Sequence, residues 1–140
     1  MKILVDTNVI ADFLMKREPH KTEARRIIAL CSDKEIDGYI AAHTIPDLFY
    51  ILRKDLPLPE RRAMLLDMCN IFTVSSLDGT KLIAALRDED FRDFEDCLQD
   101  QCAMSVGADY IVTRNVRDFA NARTEAITPS NFIKILQIIL

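Results

Sequence analysis

The sequence predicts an α/β fold, with a mainly parallel sheet of four to five strands and helices on both faces. Three observations carry this reading. Short apolar runs alternate with stretches whose apolar residues recur at helical spacing, the pattern that joins parallel strands through crossover helices. Only 3 Gly and 5 Pro occur in 140 residues, too little turn punctuation for a β-rich fold. The length suits a single domain over residues 1–140, enough for one core and too short for two.

Ile3, Leu4 and Val5 suit a first strand buried on both faces. Val9, Ile10, Phe13 and Leu14 then form the stripe of an amphipathic helix. Glu18-Pro19-His20 breaks the pattern, and a second helix is expected from near Pro19 to Cys31 with Ala24, Ile27, Ile28 and Leu30 inward. Asp37-Gly38 reads as a turn before a second strand, Tyr39 to Ala42, and His43-Thr44 opens a third helix. After the break at Leu56 to Pro59, a helix passes through Met64, Leu65 and Met68 to a third strand at Ile71 to Val74. Asp78 reads as the N-cap of a helix carrying Leu82, Ile83 and Leu86. A charged connector from Arg87 to Asp93 leads to a helix that ends near Val106, before Gly107. Tyr110 to Val112 is the fourth strand, Ala126 to Thr128 a brief fifth, and Pro129 opens the last helix.

Hydrophobic residues at 49% and charged residues at 29% describe a globular chain. Cys31, Cys69, Cys97 and Cys102 form no CxxC pair and no cluster with His, which argues against structural zinc. Small buried thiols in a reducing cytoplasm are the expected reading. Asp6 interrupts the first apolar run too early for a secretory signal, and no stretch approaches the roughly 18 apolar residues of a membrane span, so no membrane partner is expected. A net charge of -4 argues weakly against a general nucleic-acid binder, but it describes poorly a chain that gathers acids in one pocket.

The distribution of acids is therefore the informative feature. Asp6 follows the first strand, where open α/β sheets place ligand chemistry. Asp47 lies near the start of the helix after the second strand, and Asp93 and Asp96 share one face of a first helical turn. Asn115 and Asp118 follow the fourth strand. Segments that follow parallel strands open at one edge, so these groups can converge. Clustered carboxylates repel one another unless protons or cations compensate. Hard divalent ions such as Mg²⁺ or Mn²⁺ are the usual solution, and they activate water and stabilise a leaving oxygen in phosphodiester hydrolysis.

On these residues the chain resembles the PIN-domain nucleases, especially the ribonuclease toxins of bacterial toxin-antitoxin pairs. The matching segments are Asp6-Thr7-Asn8-Val9-Ile10, Thr44-Ile45-Pro46-Asp47-Leu48, Asp93-Phe94-Glu95-Asp96-Cys97-Leu98-Gln99 with Ala103, and Gly107 to Asn115 with Asp118-Phe119. The resemblance implies a three-layer Rossmann-like PIN fold and a Mg²⁺- or Mn²⁺-dependent endoribonuclease. It makes Asp6, Asp47 and Asp96 the acidic ligands, joined by Asn115 in the site and by Asp93 and Asp118 as further metal candidates. Thr7, Asn8, Thr113 and Arg114 are the candidate substrate contacts. The family commonly carries Glu where this chain has Asp47, and many members carry Asp where it has Asn115. RNA, a second copy of the chain and a small antitoxin protein are the implied partners.

Each position also has a structural reading. Asp6 can cap a helix, Asp47 can be a solvated acid, and Asp93 can be an N-cap with Asp96 near N3. Asn115 can stabilise a turn. Arg114 and Arg117, with Arg53, Lys54, Arg61 and Arg62, form either a phosphate track or a solvated face. His20 and His43 stand isolated, and Tyr39, Phe49 and Tyr50 read as core. The last helix, Phe132 to Leu140, is apolar nearly all round and wants burial against the core or a partner. An aspartyl-phosphate phosphatase would need an acid at Asn8, and a receiver domain would need an acidic doublet after the first strand. The alternative that remains is a PIN-like domain that binds RNA or protein without cutting.

Overall fold

The opening apolar run folds as the middle strand of a five-stranded parallel sheet. In the computed structural model, which describes residues 1–139, strand β1 (Lys2–Val5) lies between β2 (Asp37–Ala41) and β4 (Tyr110–Val112). β3 (Thr73–Ser75) and β5 (Ala126–Ile127) complete the order β3-β2-β1-β4-β5. Leu4 stands opposite Tyr39 on one side and Ile111 on the other.

Among the described residues, seven α-helices connect and cover these strands: α1 (Thr7–Leu14), α2 (Lys21–Ser32), α3 (Thr44–Ile51), α4 (Leu58–Ile71), α5 (Gly79–Arg87), α6 (Phe94–Val106) and α7 (Pro129–Ile139). The pleat divides the strand residues between two cores. Ile3, Val5, Ile40, Val112 and Ile127 pack with α1, α2, α3, α4 and α7. Leu4, Ala41 and Ile111 face Cys102 and Ala103 of α6. A sheet covered on both faces explains why β1 is continuously apolar.

The predicted helix ends are where local chemistry puts them. Asp78 Oδ1 accepts from Lys81 N at 3.0 Å to start α5, and Gly107, at φ 68°, ends α6 in the left-handed region. Four details differ. α2 starts at Lys21, two residues past Pro19. Asp37 and Gly38 are strand residues, and Gly38 is needed for space, since a Cβ there would lie 2.6 Å from Cys31 Sγ and 2.8 Å from Phe72 Cδ1. Ile71 still belongs to α4, so the third strand begins later than expected. Finally, α7 buries one face through Phe132, Ile133 and Leu136 and leaves Ile138 86% exposed. Leu140, also expected in that helix, lies outside the described residues.

β1 is flanked by β2 and β4, whose connections leave in opposite directions. The crevice beyond the carboxyl ends of β1 and β4 is therefore the topological switch point of the sheet. Asp6 and Thr113 stand at its mouth.

Candidate active site

A cleft of about 440 Å³ opens at this switch point. The start of α1 contributes Asp6, Thr7 and Asn8; α3 and the residue before it contribute Asp47 and His43; α6 contributes Glu95, Asp96 and Gln99; Asn115 closes it after β4. Each element begins just after a strand or in a first or second helical turn, which is why residues so distant in sequence meet.

Asp6 is 7% exposed and doubly anchored. Its Oδ1 accepts from Thr7 N at 2.8 Å and its Oδ2 from Thr113 Oγ1 at 2.8 Å. It is the N-cap of α1 as well as a cleft carboxylate, so the capping and site readings coexist. Burial pushes its pKa up, the hydrogen bonds from Thr113 and Thr7 hold it down, and the Asp118 carboxylate raises it further. Asp96 is pushed up to about 7, first by burial and then by the charges of Asp93, Asp6, Asp118 and Glu95. The carboxylates of α1, α6 and the segment after β4 therefore repel one another within one site.

Asp47 takes a different position. It lies in the same cleft beside Glu95; burial raises the pKa of both, and the Asp47 charge raises that of Glu95 further. Glu95 was not singled out in the sequence, since at an exposed first helical turn an acid is the ordinary residue for the helix dipole. His43 also lines the cleft, where burial holds its imidazole below the usual range against the pull of Glu95. Asp93 caps its own helix, accepting from Asp96 N at 3.0 Å, and does not line the cleft.

Two predicted substrate contacts are occupied by the protein itself. Thr113 is fully buried; its hydroxyl donates to Asp6 and accepts from Asn115 N at 3.1 Å, so it orients Asp6 and faces no open space. Arg114 grips the buried Asp12, with Nε to Oδ2 at 2.6 Å and Nη2 to Oδ1 at 3.2 Å. With Arg17 Nη1 3.7 Å from Asp12 Oδ1, that pairing compensates the buried Asp12 charge and ties the guanidinium to α1. Asn8 lines the cleft, with Nδ2 3.4 Å from Thr113 Oγ1. Tyr50 reverses the core reading: it is 64% exposed on the cleft wall, with the Arg53 guanidinium 3.7 Å from its ring centroid. Arg61 likewise folds onto Phe49, 4.6 Å from that ring.

Among the described residues, no three His, Cys, Asp or Glu side chains are gathered closely enough to hold a metal ion by themselves. The donors present nevertheless suit a hard cation. Asp6 and Asp96 are partly desolvated carboxylates that lack a cationic partner strong enough to lower their pKa values. Mg²⁺ characteristically takes one or two protein carboxylates and leaves its other positions to water and substrate phosphate. The residues therefore fit Mg²⁺ or Mn²⁺ through Asp6 and Asp96, a smaller set than the five acids that the sequence suggested.

A parallel sheet with an acidic cleft at its switch point is the architecture of a PIN domain, and the PIN domain family model matches residues 2–117. The chain belongs to that family. Ribonuclease VapC1 of Aquifex aeolicus is 28% identical to it over 138 residues, covering 94% of this chain and 92% of the relative. Mycobacterium tuberculosis VapC20, described as a sarcin-ricin loop cleaving toxin, superposes with a TM-score of 0.70 at 17% identity, covering 91% of this chain and 99% of that one. VapBC from Salmonella typhimurium, solved bound to DNA, gives 0.68 at 20% identity over 92% and 98% of the two chains. The chain thus resembles the ribonuclease toxins of toxin-antitoxin systems in sequence and shares their fold.

Proposed function

We propose that this protein is a divalent-metal-dependent endoribonuclease that hydrolyses RNA phosphodiester bonds, the toxin of a toxin-antitoxin pair. The observation that carries the reading is that Asp6 and Asp96, brought by different helices, line one cleft at the switch point of the sheet, where the Asp6 charge helps to push the Asp96 pKa up. Similarity to Ribonuclease VapC1 supports the choice of RNA.

Mg²⁺ or Mn²⁺ held by Asp6 and Asp96 would activate a water nucleophile and stabilise negative charge on the phosphate. The chain supplies the rest of the chemistry. Thr113 fixes the Asp6 carboxylate toward the cleft through Oδ2, while Thr7 N holds Oδ1. Asp47 and Glu95 stand at the wall with their pKa values raised by burial, which suits either carboxyl to receive a proton released during hydrolysis. Asn115 and Asn8 offer neutral amides to phosphate oxygens, and Asp118 sets the local field. Tyr50, open to solvent at the cleft wall, offers a ring on which an unpaired base can stack.

The expected partners are single-stranded or looped RNA, a small protein antitoxin and a second copy of the chain in a reducing cytoplasm. The exposed Ile138 on the last helix supports self-association, and Ile138→Asp should weaken it without unfolding the protein. Incubating the protein with a mixed RNA pool in Mg²⁺, Mn²⁺ or EDTA tests the activity. Cleavage should require metal and disappear in Asp6→Asn and Asp96→Asn. Equal cleavage in EDTA would reject the mechanism, and RNA binding with no cleavage in any metal would favour a binding-only PIN domain.

A further inference from the structure

At the inner wall of the cleft, Thr7 and Gln99 join Thr44 in a polar knot whose side chains the reaction above does not use. Gln99 is 2% exposed on α6, and its Nε2 donates to Thr7 Oγ1 at 3.2 Å and Thr44 Oγ1 at 3.3 Å. The two hydroxyls are bonded to each other at 2.9 Å, which closes a triangle. Thr44 is fully buried, and Gln99 Oε1 has no hydrogen-bond partner among the described residues.

The positions of the three residues are the informative part. Thr7 is adjacent to Asp6 at the start of α1; Thr44 opens α3 three residues before Asp47; Gln99 lies three residues after Asp96 on α6. Three-residue spacing keeps Thr44 with Asp47, and Gln99 with Asp96, on one face of each helix. Each acid-bearing helix therefore enters the knot through one side chain, and the three helices contact one another there, directly below their acids.

Stability alone gives a poor account of such a group. A buried amide with an idle acceptor is worse placed than a leucine of similar volume, and the two threonine hydroxyls could satisfy each other without it. A polar group retained at that disadvantage specifies geometry. We propose that Gln99 is a positioning residue for the nuclease site, fixing the register of α1, α3 and α6 so that Asp6 and Asp96 can meet one cation while Asp47 stays at the wall of the same cleft. The inference rests on the nuclease reading of those acids. Carboxylates that must meet one cation and one phosphate tolerate little displacement, and partners that orient metal ligands change activity or affinity by about 10- to 100-fold when removed.

The test compares wild type with Gln99→Leu, Thr44→Val and Thr44→Ser, using a fluorogenic RNA oligonucleotide in Mn²⁺ and thermal melts with EDTA or Mn²⁺. Gln99→Leu should keep or raise the melting temperature in EDTA, lower kcat about 10- to 100-fold with KM little changed, and shrink the Mn²⁺-induced shift. Thr44→Val should behave alike, Thr44→Ser should restore kcat, and the Gln99→Leu/Thr44→Val double variant should lose little more than either single one, since both break the same knot. Asp6→Asn, run in parallel, separates the two claims. If Asp6→Asn is inactive while Gln99→Leu and Thr44→Val retain wild-type kcat, or lose activity only as they lose folded protein, the positioning role is overturned alone. If Asp6→Asn cleaves like wild type, the site reading falls and this inference with it.

Discussion

Asp96 illustrates how a single carboxyl reports the whole site. Its pKa of about 7 lies above the ordinary carboxylate value of 3.8 because burial and four neighbouring carboxylates oppose its ionisation. A carboxyl whose folded pKa is raised binds its proton more tightly in the native state. Its stabilising contribution is complete below pH 3.8 and is lost as pH rises toward about 7. The metal-free protein should therefore weaken across that window, and Asp96→Asn should flatten the decline. Thermal melts in EDTA from pH 5 to 8 check this; an unchanged slope in Asp96→Asn would place the coupling elsewhere. Tyr50 belongs to the same scale. Tyr50→Ala should weaken binding of an RNA oligonucleotide to the non-cleaving Asp6→Asn protein by about 1–3 kcal/mol, and Tyr50→Phe should keep most of the affinity. Equal affinity in both variants would remove the stacking role.

At the scale of the element, the sequence announced what local chemistry decides and concealed what packing decides. The strand-helix alternation, the caps at Asp78 and Asp93 and the stop at Gly107 follow from neighbours in sequence, and all were legible. Gly38 was misread because a glycine demanded by the approach of Cys31 and Phe72 looks, in one dimension, like a glycine demanded by a turn. Gly38→Ala should destabilise the fold by about 1–3 kcal/mol, as overpacking does, although its backbone needs no special conformation. Denaturant unfolding checks it. Among the acids, Asp6, Asp47 and Asp96 line the cleft to which the strand-end reading directed them. The Asp47–Glu95 pairing, the Thr113 anchor and the Arg114–Asp12 grip were hidden because each joins residues on different elements. Asp93 gives a clean element-scale prediction. Asp93→Ala should cost about 1 kcal/mol of stability, and Asp93→Ser should restore it with normal cleavage if capping is its main work. Loss of cleavage in a stable Asp93→Ser would return it to the site.

The whole molecule couples fold and site through charge. Crowding carboxylates at the switch point is unfavourable in the metal-free state, and the two cores on either side of the sheet hold them there. On the proposed metal reading, a divalent ion that binds only the native state would relieve that repulsion and stabilise the fold by RT ln(1 + [L]/Kd), about 2.7 kcal/mol at a hundredfold excess over Kd. For a domain of this size the gain is roughly several degrees in melting temperature.

The most direct measurement is the melting temperature of wild type and Asp6→Asn, each with EDTA and with Mn²⁺. Asparagine keeps an oxygen to accept from Thr7 N, so the cap survives while the charge goes. The account predicts that Asp6→Asn melts higher than wild type in EDTA and loses most of the Mn²⁺-induced rise. An Asp6→Asn protein that melts lower in EDTA and responds to Mn²⁺ as wild type does would show Asp6 to be a helix cap alone, and would contradict the site.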